Sequence, residues 1–110
     1  MKTLARTVVA LAALAAFAAQ AQGVRTERNM SLDLANQIAA ATVAACTTNG
    51  YAVAAAVVDR AGQLKALHRA DNAGPHTLSS SQAKAYTSAS AKNNTLAMME
   101  GAQKNPAAAN

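Results

Sequence analysis

Residues 52–69 decide the fold of this chain, and they read AVAAAVVDRAGQLKALHR. Every position from 52 to 58 is apolar, which is typical of a strand that is covered on both faces. The next segment, 59–63, contains Gly62 and has the length and composition of a hairpin loop. Residues 64–69 then alternate between two faces, as a second strand does. The stretch therefore predicts an antiparallel β-hairpin.

The pattern before the hairpin predicts a helix. Ser31 can cap its first turn, and Asn49 followed by Gly50 closes it. Small and apolar residues recur at helical spacing between these signals, so we expect them to form one stripe that faces the core. The predicted stripe comprises Ala35, Ile38, Ala39, Thr42, Ala45 and Cys46.

Two further helices are predicted after the hairpin. One runs from about residue 78 to residue 91, with Thr77 as its cap and His76 in the loop before it. A shorter helix is capped by Thr95 and ends at Asn105. Two strands and about three helices place the chain in the α+β class, with an antiparallel sheet and helices packed on it.

The N-terminal residues have the pattern of an export signal. Residues 1–21 combine a basic start, an apolar run over 8–19 and a small-x-small ending, which predicts a cleaved signal peptide and a periplasmic or secreted protein. The apolar run is too short to span a bilayer, so no membrane span is expected after cleavage. We expect an N-terminal extension over 22–29, a domain over 30–104 and a disordered tail over 105–110.

The composition excludes one class of partner and favours another. The formal net charge is +5, the basic residues are scattered, and aromatic residues make up 3%, so nucleic-acid binding is rejected. Alanine dominates the apolar residues and removes little area from water, which predicts a thin core. The single cysteine excludes an internal disulfide. Association with other subunits, most simply as a homo-oligomer, is therefore expected.

No motif in the sequence defines a reaction. There is no Cys-x-x-Cys, no His-x-x-x-His, no phosphate-binding glycine loop and no nucleophile elbow. The five carboxylates are spread singly, so spacing suggests no acid/base pair. His68 and His76 are the two imidazoles available as bases or metal ligands. An enzyme is the least favoured class of function.

Six short segments follow one another in a characteristic order: 31–35 (SLDLA), 54–59 (AAAVVD), 61–62 (AG), 64–69 (LKALHR), 73–77 (AGPHT) and 84–87 (KAYT). In this order they resemble the GlcG/HbpS family of heme-binding proteins, from about residue 30 to residue 100. In that family further strands and a last helix complete a profilin-like sheet, and the resemblance covers none of these elements here. The domain is therefore expected to be incomplete, with one edge of its central strand unpaired, and either the chain is a fragment or another subunit supplies the missing strand.

The resemblance implies heme binding, with heme breakdown attributed to some members. His76 is the favoured iron ligand, because a loop position lets its side chain leave the packed layer. Arg69 and Lys84 are the candidate partners of the heme propionates. The alternative for His76 is a structural residue at the start of a helix, and His68 is expected to be a packed or surface histidine.

Other heme ligands and other functions remain open. Tyr86 is expected in the core with its hydroxyl bonded, and Met98 and Met99 as core filler. The leading function is an exported small-molecule-binding protein, with heme as the most probable ligand, in uptake, sensing or degradation. The alternatives are an oligomeric accessory subunit of a membrane sensor and a non-functional fragment.

Overall fold

The structure is a computed structural model that describes residues 1–4 and 23–109. The predicted α+β class is confirmed, and the arrangement is consistent with a partial profilin-like fold. Most of the predicted signal peptide, including its apolar run, lies outside the described residues. The elements in chain order are helix α1 (Leu32–Thr48), strands β1 (Ala54–Val58) and β2 (Leu64–Arg69), helices α2 (His76–Ala91) and α3 (Thr95–Lys104), and a 3-10 helix (Pro106–Ala109).

The boundaries of α1 confirm the prediction, whereas its buried face differs from it. Ser31 caps the helix, since its side chain accepts a hydrogen bond from Leu34 N at 3.2 Å. Ala35 and Ala39 are fully buried, but Ile38 is 38% exposed. A helix on a two-stranded sheet meets it along one narrow row, which continues through half-buried Val43. The predicted burial of Ile38, Thr42 and Ala45 is therefore wrong.

Strands β1 and β2 pair as the predicted antiparallel hairpin, with Ala55 opposite His68. The turn is held by Asp59, whose Oδ1 accepts hydrogen bonds from Ala61 N at 2.9 Å and Gln63 N at 3.0 Å. Gly62 has φ +79°, a conformation that favours glycine. A shift in register between Val57 and Val58 lets the chain enter this turn.

The core is small and made of alanine. Ala35 and Ala39 of α1 pack against Ala55 of β1 and Ala66 of β2, with partly buried Met30 beside them. No large side chain of the described residues is fully buried. Because each alanine removes little apolar area from water, the predicted thin core is confirmed.

One edge of β1 is open in the described part of the chain. Val53 O accepts a hydrogen bond from Ala70 N at 2.9 Å, so alternate residues from Val53 onward direct their backbone groups at β2. The residues between them, Ala54, Ala56 and Val58, direct theirs at the other edge, where no described strand lies. This matches the predicted unpaired edge. Helix α1 contacts both strands and α2 contacts chiefly β1, without an approach of the two helices to each other.

The starts of α2 and α3 differ from the prediction. Helix α2 begins at His76, and Pro75 precedes it without a side-chain cap. Thr77 is not the cap, because its hydroxyl donates to Gly74 O at 2.6 Å from inside the first turn. Helix α3 is capped by Asn94, whose Oδ1 accepts from Ala97 N at 2.7 Å, so the cap precedes the predicted Thr95 by one residue.

The C-terminal segment contains a 3-10 helix over Pro106–Ala109, where the sequence predicted no helix. Proline fixes φ in a range that suits this turn, and alanine has no side chain that competes for the backbone. The short helix contacts α3. The prediction of a mobile tail over 105–110 stays a prediction. Among the described residues, no helix combines the length and apolar content needed to cross a membrane.

Candidate functional site

The segment between β2 and α2, residues 70–75, forms a compact turn that we call the β2–α2 loop. Ala73 N donates to Ala70 O at 3.0 Å, and Ala73 is 5% exposed. Ala70 N is itself bonded to Val53 O, so the loop begins on the hairpin ladder. Gly74 O accepts from Thr77 N at 3.0 Å, which joins the end of the loop to α2. The loop is thus anchored at both ends.

His76 lies at the start of α2, with its ring folded back onto the β2–α2 loop. A Cβ atom built on Gly74 would lie 2.7 Å from His76 Cε1 and 2.8 Å from Nδ1, so the ring occupies space that any side chain at position 74 would need. The residue is exposed, and its imidazole has no hydrogen-bond partner among the described residues. The expected loop position of His76 is wrong, because α2 begins at His76, about two residues before its predicted start. Among the described residues, no group forms a hydrogen bond with its ring nitrogens that a ligand would have to displace.

Arg69 reaches the same loop from the other side. Its Nη1 donates to Ala73 O at 2.5 Å, which attaches the guanidinium to the residue before Gly74. Arg69 also lines an open cleft of about 530 Å³. The cleft is lined by Val43, Thr47, Gly50, Tyr51, Ala52, Arg69, Ala70, Asp71 and Asn72. The structure therefore brings Arg69 and His76 to one loop, although His76 does not line the cleft.

Lys84 lies farther away on α2. It follows His76 by two helical turns, a rise of about 12 Å. Its side chain is exposed, and none of the described residues forms an ion pair with it. Lys84 is thus not gathered with Arg69 and His76 at the loop, and only a ligand broad enough to extend along α2 would contact both His76 and Lys84.

His68 lies on β2 and does not belong to the β2–α2 loop. It is half-buried beneath α1, and its Nε2 lies 3.4 Å from Asn36 Oδ1. This position agrees with the structural interpretation of His68. A heme iron would have to displace that contact to bind this imidazole.

The structure corrects the interpretation of Tyr86 and shows Met99 at the surface. Tyr86 is 59% exposed instead of buried, because its ring lies over the hairpin turn, where a Cβ on Gly62 would approach it to 3.1 Å. Met99 of α3 is 51% exposed, so it does not fill the core. Neither side chain belongs to the β2–α2 loop.

The side chains around the loop suit one axial iron ligand and do not suit a bare metal ion. No group of three or more His, Cys, Asp or Glu side chains that could hold a metal ion occurs in the described part of the chain. A heme needs only one protein ligand, and an exposed imidazole without a partner meets that need.

Sequence reasoning missed the part that Gly74 plays at this site. The glycine does not have a positive φ, so its conformation gives no signal. What matters is the absent Cβ, which leaves room for the His76 ring. The sequence shows a glycine two residues before the histidine, but the contact between Gly74 and the His76 ring depends on α2 starting at His76.

Comparison with known proteins identifies the family. A two-stranded antiparallel sheet with helices packed on it is consistent with a partial profilin-like α+β domain. The chain belongs to the HbpS-like family, described as haem degrading protein HbpS-like, whose family model matches residues 30–110. Curated proteins gave no match to this chain.

Proposed function

We propose that this protein binds heme, with His76 as the axial ligand of the iron. The observation that carries the proposal is the imidazole of His76, which packs against Gly74 of the anchored β2–α2 loop. The residue is exposed, and its ring has no hydrogen-bond partner among the described residues. The family description supports a function related to heme. An imidazole held in this way needs little reorganisation before it binds iron.

Arg69 and Lys84 are the proposed partners of the two propionates. Arg69 keeps free N–H donors beside the cleft while one nitrogen holds the loop, and a guanidinium suits a carboxylate. Lys84 would be reached by a ring that extends from His76 along α2. When bound, heme would supply the redox and oxygen chemistry, while the chain binds and orients it. We propose that the protein is exported, and that its role lies in heme uptake, sensing or degradation.

A second copy of the chain is the proposed cover for the exposed face of the heme. Among the described residues, the buried core side chains are all alanine, β1 has an open edge, and Leu34 and Ile38 of α1 are partly exposed. These observations also support the alternative function, an oligomeric accessory subunit. In that case the protein would associate without binding heme.

Titration with hemin tests the proposed function. We expect a saturable Soret band with a fixed number of hemes per chain, and an increase in sedimentation coefficient if subunits enclose the heme. A spectrum identical to that of free hemin at all protein concentrations would contradict heme binding. Oligomers that form without any change in the hemin spectrum would favour the accessory subunit.

A further inference from the structure

Three basic side chains from separate parts of the chain border one cleft, far along α2 from His76. They are Arg25 in the N-terminal segment, Arg60 in the hairpin turn and Lys92 at the end of α2. The cleft has a volume of about 620 Å³, and its remaining described lining residues are Glu27, Asn29, Ala61 and Ala89. Three cations and one carboxylate leave an excess of two positive charges.

Glu27 contacts both arginines at this cleft, and Asn29 contacts the backbone of Arg60. Glu27 Oε1 lies 2.7 Å from Arg25 Nη2, and its Oε2 lies 3.5 Å from Arg60 Nε. Asn29 Oδ1 accepts a hydrogen bond from Arg60 N at 2.9 Å, which fixes the backbone of the turn beside the N-terminal segment. Each guanidinium keeps further donors beyond the one that faces Glu27. Since exposed ion pairs contribute little, a stronger anion can compete for both arginines.

Lys92 adds a cation whose backbone is strained. Its φ is 52°, and it is the one residue other than glycine with positive φ in the described part of the chain. Asparagine or glycine would adopt this conformation more easily than lysine does. No described carboxylate lies within ion-pair distance of its ammonium. A lysine at the C-terminal end of a helix interacts favourably with the helix dipole, which explains a positive charge here. The dipole does not explain why Arg25 and Arg60 border the same cleft.

We propose that this cleft binds a phosphate group. Guanidinium forks match pairs of phosphate oxygens, and an ammonium adds a point charge without a fixed direction. The cleft contains no aromatic residue among its described lining, so it suits a small oxyanion better than a planar ring. The carboxylate of Asp59 does not line the cleft, and its Oδ1 accepts hydrogen bonds from the backbone of the turn. Inorganic phosphate and a lipid headgroup share this chemistry.

The test is a titration of the full chain with sodium phosphate at constant ionic strength, in which calorimetry measures the binding. Arg60→Gln and Lys92→Gln should each weaken binding about tenfold, because each removes a charge-assisted hydrogen bond. Arg60→Gln retains the backbone N–H that donates a hydrogen bond to Asn29 Oδ1, so the turn should persist. Lys104→Gln removes the same charge from α3 and should leave binding unchanged. Equal losses in all three variants would overturn the proposal, since net charge alone would then explain them.

Glu27→Gln provides a test in the opposite direction. The variant removes the internal competitor of the anion, so phosphate should bind more tightly than to the wild type. Glu100→Gln, which makes the same charge change on α3, should have no effect. Weaker binding by Glu27→Gln would contradict the proposed competition.

Vesicles that contain phosphatidic acid distinguish the two sources of phosphate. Vesicle binding that requires Arg60 and Lys92, without saturable binding of inorganic phosphate, would assign the cleft to a lipid headgroup. Saturable binding of inorganic phosphate with the same requirement would assign it to a free anion. Absence of both would overturn the proposal.

Discussion

The imidazole of His76 occupies the space that a Cβ on Gly74 would take, with a separation of 2.7 Å from Cε1 to that position. The ring packs against Gly74, which belongs to a loop that is anchored to the hairpin. The placement of the proposed iron ligand therefore depends on the absence of a side chain two residues earlier.

Gly74→Ala should move the His76 ring and weaken heme binding severalfold, with little loss of stability. The clash is with the end of a flexible side chain, and Gly74 does not have a positive φ, so the backbone can remain as it is. Hemin titration and thermal unfolding of the same variant measure the two effects. Gly101→Ala is the control, since a Cβ there meets nothing within 4 Å. It should stabilise α3 by up to about 1 kcal/mol and leave heme binding unchanged.

Arg69→Met should loosen the β2–α2 loop and weaken heme binding, because the bond from Nη1 to Ala73 O is lost while most of the apolar stem remains. Hydrogen exchange of the amides at 70–76 would report the loosening, and a hemin titration the affinity. Lys65→Met is the matched control, since Lys65 lies on the same strand and forms no hydrogen bond or ion pair with the loop in the described structure. Similar effects in both variants would assign the loss to charge alone.

Gly62→Ala should destabilise the fold by about 1–2 kcal/mol, measured by denaturant unfolding. The substitution strains a backbone with φ +79° and brings a Cβ to 3.1 Å from the Tyr86 ring. Gly50→Ala has a similar φ of +81° with nothing within 4 Å, so it reports the backbone strain alone. The difference between the two variants measures the contact with Tyr86. Addition of Tyr86→Ala to Gly62→Ala should remove that difference, and a failure to do so would place the strain elsewhere.

The hairpin and the helices could be predicted from the sequence because their signals are local. The apolar run at 52–58, the turn around Gly62 and the cap at Ser31 each depend on a few neighbouring residues. The start of α2 was harder to predict from the sequence, because Thr77 is a residue type that caps helices but its hydroxyl donates a hydrogen bond to Gly74 O from within the first turn. As a consequence, His76 was expected in the loop, whereas it is the first residue of α2.

Burial was the less predictable property. Ile38 and Tyr86 fall on apolar stripes, yet both are partly exposed, because a two-stranded sheet offers only a narrow surface to each helix. A stripe in a sequence shows which residues share a helix face, but the width of the partner layer decides how many of them it covers. The cleft around Arg25, Arg60 and Lys92 was also missed, since it joins segments that are distant in the chain.

The thin core predicts that residues 22–110 unfold in a manner that depends on protein concentration. Association stabilises a fold by mass action, so the thermal midpoint should rise as the chain is concentrated. Sedimentation should show species larger than a monomer over the same range. A sharp transition at a constant midpoint, with a monomer mass, would contradict this prediction. Leu34→Ser combined with Ile38→Ser should lower the concentration dependence, because both side chains are partly exposed on α1.

The most direct measurement is a hemin titration of His76→Ala beside the wild type and His68→Ala, read as the Soret position and the dissociation constant. If His76 binds the iron, His76→Ala should shift the Soret band towards that of unligated hemin and weaken binding at least tenfold. His68→Ala should keep the wild-type spectrum, because that imidazole contacts Asn36 beneath α1. An unchanged Soret position and affinity in His76→Ala would show that the iron is bound elsewhere and would contradict the proposed site.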